Sequence, residues 1–313
     1  MRRMMNLAAI GIAAFCGTGC STMLRGDDSD RDVHLHLTYF MARKAGFDEA
    51  EARAIASGNC HTDYHPETNS VGTERRVIGG LINPLTVPRI IGIGLIDWGW
   101  GGETAVRAFA GQTAGATAWA LRPLAHRLHF PSPGLYQKTV PAFRTHPETG
   151  EMYYNNREAM IVLEQAFRAL ETRDPDVPRA LALLGIGLHT LQDSYKHQGY
   201  CGAFGHIGVF PDPDDISRDP GMALEIAEAT LNSLRHARRL LHGKGMRIAE
   251  GWREEFRRIY TVPLRGGERR QDRWIALIRE TLGDSYGGWD DTRERWLADG
   301  GDEAFERALD RVR

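Results

Sequence analysis

Apolar positions recur at helical spacing along most of the chain. HLHLTYFMARKAGF carries them from Leu37 to Ala45, with Gly46 suited to close a helix. Asp48, with Glu51 three residues on, reads as a capping box opening DEAEARAIASGN. NREAMIVLEQAFRALE is strongly amphipathic. Asp176 and Pro178 open PRALALLGIGLHTLQDSYKH, and Asp219 and Pro220 open GMALEIAEATLNSLRHARRLLHG, which ends in Arg and Lys near Gly243, as suits a helix C-terminus. Shorter helices are predicted around Ala249–Tyr260, Arg270–Leu282 and Asp290–Ala298, and a last one over Glu303–Arg313. Period-2 runs of β-branched residues are nearly absent, so the pattern predicts an all-α domain.

Two regions break the pattern. Arg75 to Gly102 is apolar and Gly-rich, interrupted by Pro84 and Pro88, and its uncharged stretch Ile90–Ile96 is far too short to span a bilayer. An Ala/Gly-rich helix is expected after it, over roughly Glu103–Leu128, so residues 75–141 read as an insertion. Buried packing through small residues is one reading. A lid or membrane-docking loop with Trp98 and Trp100 at a lipid surface is the other. The second break is a short echo, His65-Pro-Glu-Thr68 and His146-Pro-Glu-Thr149, in which Pro holds each His extended, outside a helix.

The start of the chain changes the picture further. MRRMMNLAAIGIAAFCGTGC has basic Arg2 and Arg3, a short apolar run and small residues before Cys20, the layout of a secretory signal. It resembles a bacterial lipoprotein signal, which implies a lipid-modified Cys20, membrane attachment and a cell-envelope location. Residues 1–20 are then the signal, 21–31 a polar tether, and 32–313 the folded domain. In an oxidising compartment Cys60 and Cys201 form a candidate disulfide; two separate buried thiols are the alternative.

Composition constrains function less. With 313 residues, 42% hydrophobic and 26% charged, the chain has material for a sizeable core. A formal net charge of −2 argues against bulk nucleic-acid binding. It leaves room for a phosphate-ester substrate, because bound cations supply local positive charge.

The candidate chemistry lies in LGIGLHTLQDSYKHQGYCGAFGH. His189, Asp193 and His197 follow one another at four-residue intervals behind an apolar run. Neighbours at that spacing sit about 6 Å apart on one helix face, so each pair can reach one ion. His189 and His197 are about 12 Å apart, too far to share one easily, and Asp193 between them is the residue able to bridge two ions. Zinc suits His nitrogen and Asp oxygen. Two metals about 3.5–4 Å apart are a known device for phosphoryl-ester hydrolysis. A buried His with a single hydrogen bond is the plainer reading of any one of these residues. Further ligands are available at His34, Asp63, His146, His206 and Asp212, with Asp214 and Asp215 as alternatives to Asp212.

The order of these residues resembles the zinc-dependent phospholipase C and single-strand nuclease superfamily. An early His opens a helix, an Asp follows the second helix, a THPETG loop comes next, and LLGIGLHTLQDS leads to later His residues. The opening DVHLHLTYFMARKAGFDEAEARAIASGN looks closer to an uncharacterised bacterial branch of the same helical fold. The resemblance covers about Asp32–Asp215, without the insertion. It implies a multi-helical domain holding two or three zinc ions. His146, His189 and Asp193 would hold one ion, and His197 and His206 a second with an acidic partner. His34 would join a third, bridged by Asp193. Asp63 would be general base or an additional ligand, with His36 and His61 as weaker matches. The pattern departs in three places. No mature N-terminal Trp is present, the gap from Asp193 to His197 is short, and the acidic ligand expected after His206 would fall at Phe210. The implied function is hydrolysis of a phosphate ester, a phospholipid before a nucleic acid. The alternative is a non-catalytic, metal-binding helical lipoprotein with an envelope structural or partner-binding role.

Overall fold

The computed structural model describes residues 32–68, 123–129, 143–145, 152–154, 157–196, 219–243, 251–260 and 270–313. A π-helical turn, Asp32–Leu37, runs directly into α1 (Thr38–Lys44). Gly46 then takes φ 93°, a left-handed conformation that favours glycine, and turns the chain toward the next helix. The helix α2 (Glu49–Tyr64) opens on the capping box read from the sequence: the Glu51 amide donates to Asp48 Oδ1, and the Asp48 amide to Glu51 Oε2. It ends where Pro66 forces His65 into extended backbone, φ −67° and ψ 137°.

A short helix α3 (Pro123–His129) follows, then a two-stranded antiparallel hairpin of β1 (Phe143–Thr145) and β2 (Met152–Tyr154), with Phe143 opposite Tyr154. Three-residue strands carry too little alternation to register as a period, and the sequence reading has only a loop there. The remaining elements are α4 (Arg157–Leu170), α5 (Val177–Lys196), α6 (Pro220–His242), α7 (Trp252–Tyr260), α8 (Arg270–Leu282), α9 (Gly288–Ala298) and α10 (Gly301–Val312). The Asp219 carboxylate caps α6 through the Met222 amide, and Gly243 ends it at φ 68°. The described residues form an all-α fold apart from the hairpin. None of their helices is long and apolar enough to cross a membrane.

The helix α5 is the axis of the packing. Every residue from Ala180 to Lys196 is buried, against α2, α4, α10, α3 and α6. A helix surrounded on all sides must be apolar on all sides, which is why ALALLGIGL shows no polar stripe. Its two glycines fix how closely two neighbours approach. A Cβ at Gly185 would stand 2.6 Å from the Asn59 nitrogen and the Ile55 carbonyl oxygen of α2. One at Gly187 would stand 2.8 Å from the Leu163 side chain of α4. The backbones of α2 and α5 therefore nearly touch beside the polar end of α5, and that contact sets the site.

Candidate metal centre

His189 and Asp193 stand one turn apart on α5 and face inward. Three other elements bring side chains to them: the π-helical turn supplies His34, the end of α2 supplies Asp63, and the last residue of α3 supplies His129. Two groups have ligand-capable atoms close together, His129 with His189 and Asp193, and His34 with Asp63 and His189.

The first group is nearly an equilateral triangle. His129 Nδ1 lies 3.0 Å from His189 Nε2 and 3.1 Å from Asp193 Oδ2, and His189 Nε2 lies 3.2 Å from that same oxygen. Ligands bound to a tetrahedral zinc at about 2.0–2.1 Å stand about 3.3 Å apart, so these atoms have the dimensions of one face of such a tetrahedron. Asp63 Oδ1 is 3.6 Å from His129 Nδ1 and 3.8 Å from His189 Nε2. Asp193 turns its other oxygen away from the triangle, and Oδ1 lies 3.1 Å from His34 Nε2.

Each imidazole is held by its opposite nitrogen. His189 Nδ1 donates to the Asn59 carbonyl at 3.1 Å, and His129 Nε2 donates to the Thr68 carbonyl at 2.7 Å. A carbonyl only accepts, so His189 Nδ1 and His129 Nε2 carry protons, and in the neutral rings the lone pairs stand at His189 Nε2 and His129 Nδ1. His34 Nδ1 meets Gln192 Oε1 at 3.0 Å. The amide of Gln192 is oriented by its surroundings. Its Nε2 donates to Thr38 Oγ1 and Thr230 Oγ1, its Oε1 also accepts from Asn59 Nδ2, and Thr38 Oγ1 passes its own proton to the Val33 carbonyl. His34 Nδ1 is therefore the donor, and its Nε2 lies 3.1 Å from Asp193 Oδ1 and 3.3 Å from Lys196 Nζ. Outer partners of this kind set tautomer and ring direction in metal centres.

Burial makes these assignments matter electrostatically. His34, His129, His189 and Asp193 are at most 2% exposed, whereas the Asp63 side chain is 12% exposed. Desolvation and the neighbouring His34 and His129 rings hold His189 well below the ordinary histidine value, against the pull of Asp193. Burial also opposes a charge on His129, but its hydrogen bond to Asp193 and the charges of Asp63 and Asp193 outweigh it and raise its pKa to about 9.

Of the ligands expected from the sequence, His34, Asp63, His189 and Asp193 come together here. His146, His197, His206 and Asp212 lie outside the described residues, as do Asp214, Asp215 and Cys201. Cys60 is buried in α2. The residue that joins His189 and Asp193 is His129, which sequence reasoning passed over because it falls within the stretch set aside as an insertion. The only signal was the polar ending of RPLAHRLH, and His126 carried it equally. His36 and His61 face elsewhere. His36 Nδ1 is hydrogen-bonded to Tyr286 Oη at 2.6 Å, because residues two apart on a helical turn point to opposite sides. His61 packs edge-on to Phe305 and beside Trp296. In the first copy of the echo, His65 pairs with Glu306 at 2.8 Å, and it is the Thr68 carbonyl that serves the site. Compared with family models, curated proteins and solved structures, the chain matches none.

Proposed function

We propose that this chain is an exported zinc-dependent hydrolase of phosphate esters, anchored to a bacterial membrane through Cys20. The observation that carries the metal reading is the triangle of His129 Nδ1, His189 Nε2 and Asp193 Oδ2, with edges of 3.0–3.2 Å. Two imidazole lone pairs at 3.0 Å repel unless a proton or a cation stands between them. Zinc bound there would supply Lewis acidity toward a phosphoryl oxygen and ease deprotonation of water.

The chain's own residues supply the rest. Gln192 and the carbonyls of Asn59 and Thr68 orient the imidazoles, so the donor geometry exists before a ligand arrives. Asp63 is the more exposed carboxylate of the set, and it is the group suited to orient an attacking water and take its proton. The order of motifs supports a phosphodiester, and the tether together with the apolar stretch at 75–102 supports a phospholipid.

One observation favours a second reading. The donors other than Asp63 are almost fully buried, as in metals that hold helices together without turning over substrate. This is the non-catalytic, metal-binding envelope lipoprotein. Chelation followed by zinc restoration separates the two. The hydrolase loses and regains cleavage of a chromogenic phosphodiester, short-chain phosphatidylcholine or single-stranded nucleic acid. Unfolding on chelation, with no cleavage of any of the three when zinc-loaded, leaves the structural reading.

A further inference from the structure

We propose that the turn His65–Thr68 and the last turn of α10 form a bracket that positions the His129 ring, with Arg127 and Arg313 as its fasteners. This rests on the metal reading of His129, His189 and Asp193. His129 ends α3, a helix of seven residues, and a helix that short does not hold itself. Burial of Leu124 and Leu128 keeps it against the core. Apolar contact is non-directional, however, and leaves the rotation and slide of the helix open. Hydrogen bonds set those.

Arg127 supplies two of them. Its Nε donates to Glu158 Oε2 of α4 at 3.1 Å, and its Nη1 to the Val312 carbonyl at 3.2 Å. Val312 closes α10, where carbonyls lack an intrahelical donor and favour a cation. Two residues beyond Arg127, the His129 ring donates to the Thr68 carbonyl. Its aim therefore depends equally on where that carbonyl stands.

The turn that carries Thr68 is tied to the same end of α10. Thr68 Oγ1 donates to the Thr62 carbonyl at 2.6 Å and the Thr68 amide to the His65 carbonyl at 3.1 Å, which closes the turn against α2. Outward, His65 Nδ1 accepts from the Glu67 amide, and its Nε2 donates to Glu306 Oε1 at 2.8 Å. Glu67 Oε2 accepts from Arg313 Nε at 2.9 Å and Nη2 at 2.7 Å, and that Nη2 stands 3.6 Å from Glu306 Oε2. Both partners of the His129–Thr68 bond are thus fastened to residues 306–313. Arg127 and Arg313 are positioning residues that act through His129. Zinc centres tolerate ligand distances only within about 0.2 Å, so a small shift of the ring costs affinity.

The test is zinc affinity of the full chain, read by competition with a chromogenic chelator. Arg127→Met and Arg313→Met should each weaken binding roughly tenfold, the low end of what outer partners of metal ligands contribute. Arg127→Lys should recover part of the loss, because an ammonium can still donate to Glu158 or Val312. Arg253→Met removes a comparable ion pair, with Glu228, outside the bracket and should bind zinc as the wild type does. Exposed pairs of this kind add little to global stability, so a loss confined to the bracket is a loss of position. Unchanged affinity in both bracket variants overturns the proposal, and so does an equal loss in Arg253→Met. If Arg127→Met does not fold, the more exposed Arg313→Met decides. A wild-type chain that binds no zinc refutes the metal centre itself. The bracket is then judged by nuclear magnetic resonance of the His129 Nε2 proton: faster solvent exchange in Arg313→Met supports it, and an unchanged rate overturns it.

Discussion

His129 Nδ1 and His189 Nε2 face each other at 3.0 Å, and the other nitrogen of each ring donates to a backbone carbonyl, Thr68 for one and Asn59 for the other. Neither ring can relieve the confrontation by changing tautomer without breaking a buried hydrogen bond. A proton or a metal ion must occupy the position between them, and the two compete.

That competition has a direction. The folded His129 pKa, about 9, is above the unfolded histidine value of about 6.5. Its contribution to the stability of the metal-free protein is therefore fully present below pH 6.5 and is lost as pH rises through 9. Zinc must displace the same proton. Affinity should rise between about pH 7 and 9, by at most about tenfold per unit for one proton, with proton release near neutrality. Titration calorimetry in buffers of different ionisation enthalpy measures the release; pH-independent binding with none would exclude a protonated His129.

Gln192 touches no proposed metal position but fixes His34 through a network closed by Asn59, Thr38 and Thr230. Gln192→Ala should leave the triangle's ligand atoms in place and weaken zinc affinity by about 10–100-fold if His34 shapes the centre. Competition with a chromogenic chelator reads this directly. Wild-type affinity would mean that the network serves folding alone.

Gly185 lies against the backbone of α2, where an added Cβ would meet Asn59 N and Ile55 O at 2.6 Å. Neither atom belongs to a side chain that can swing aside. Gly185→Ala should cost about 1–3 kcal/mol in urea unfolding of the metal-free protein. Because α2 carries Asn59 and Asp63, the same variant should also bind zinc more weakly. Gly243, with nothing within 4 Å of an added Cβ, offers a contrast: substitution there costs only its left-handed backbone preference.

His61 predicts an acid weakness outside the centre. Desolvation among Trp296, Phe305 and His65 lowers its pKa to about 4, against the partial pull of Asp302. Its depressed value means that the associated stability is present above pH 6.5 and is lost as pH falls through 4. The loss should amount to roughly 2–4 kcal/mol. His61→Phe should flatten the acid limb of the stability curve over that window, measured by urea unfolding at a series of pH values. An unaltered acid limb would move the cause to another group.

The helices could be read from local chemistry because their signals are local. The Asp48–Glu51 capping box, the Asp219 cap and the left-handed closures at Gly46 and Gly243 each involve residues within a few positions of one another. His189 and Asp193 were legible for the same reason, since four-residue spacing on one helix fixes their common face. The β1–β2 hairpin was not, because three-residue strands draw their order from pairing rather than period.

By itself, then, the sequence determined the all-α character, the helix ends, and the presence of His and Asp on one side of a helix too apolar to face water. Tertiary structure alone decided which distant groups meet there. Gly58 and Gly185 let α2 and α5 close to backbone contact, bringing the Asn59 carbonyl to His189 and Asp63 to the edge of the site. The site also takes His129 from a segment with no motif, sends His34 inward and His36 to Tyr286, and sets Lys196 against Asp193. These choices are made by close packing between elements far apart in the chain, and no spacing along the sequence encodes a contact of that kind.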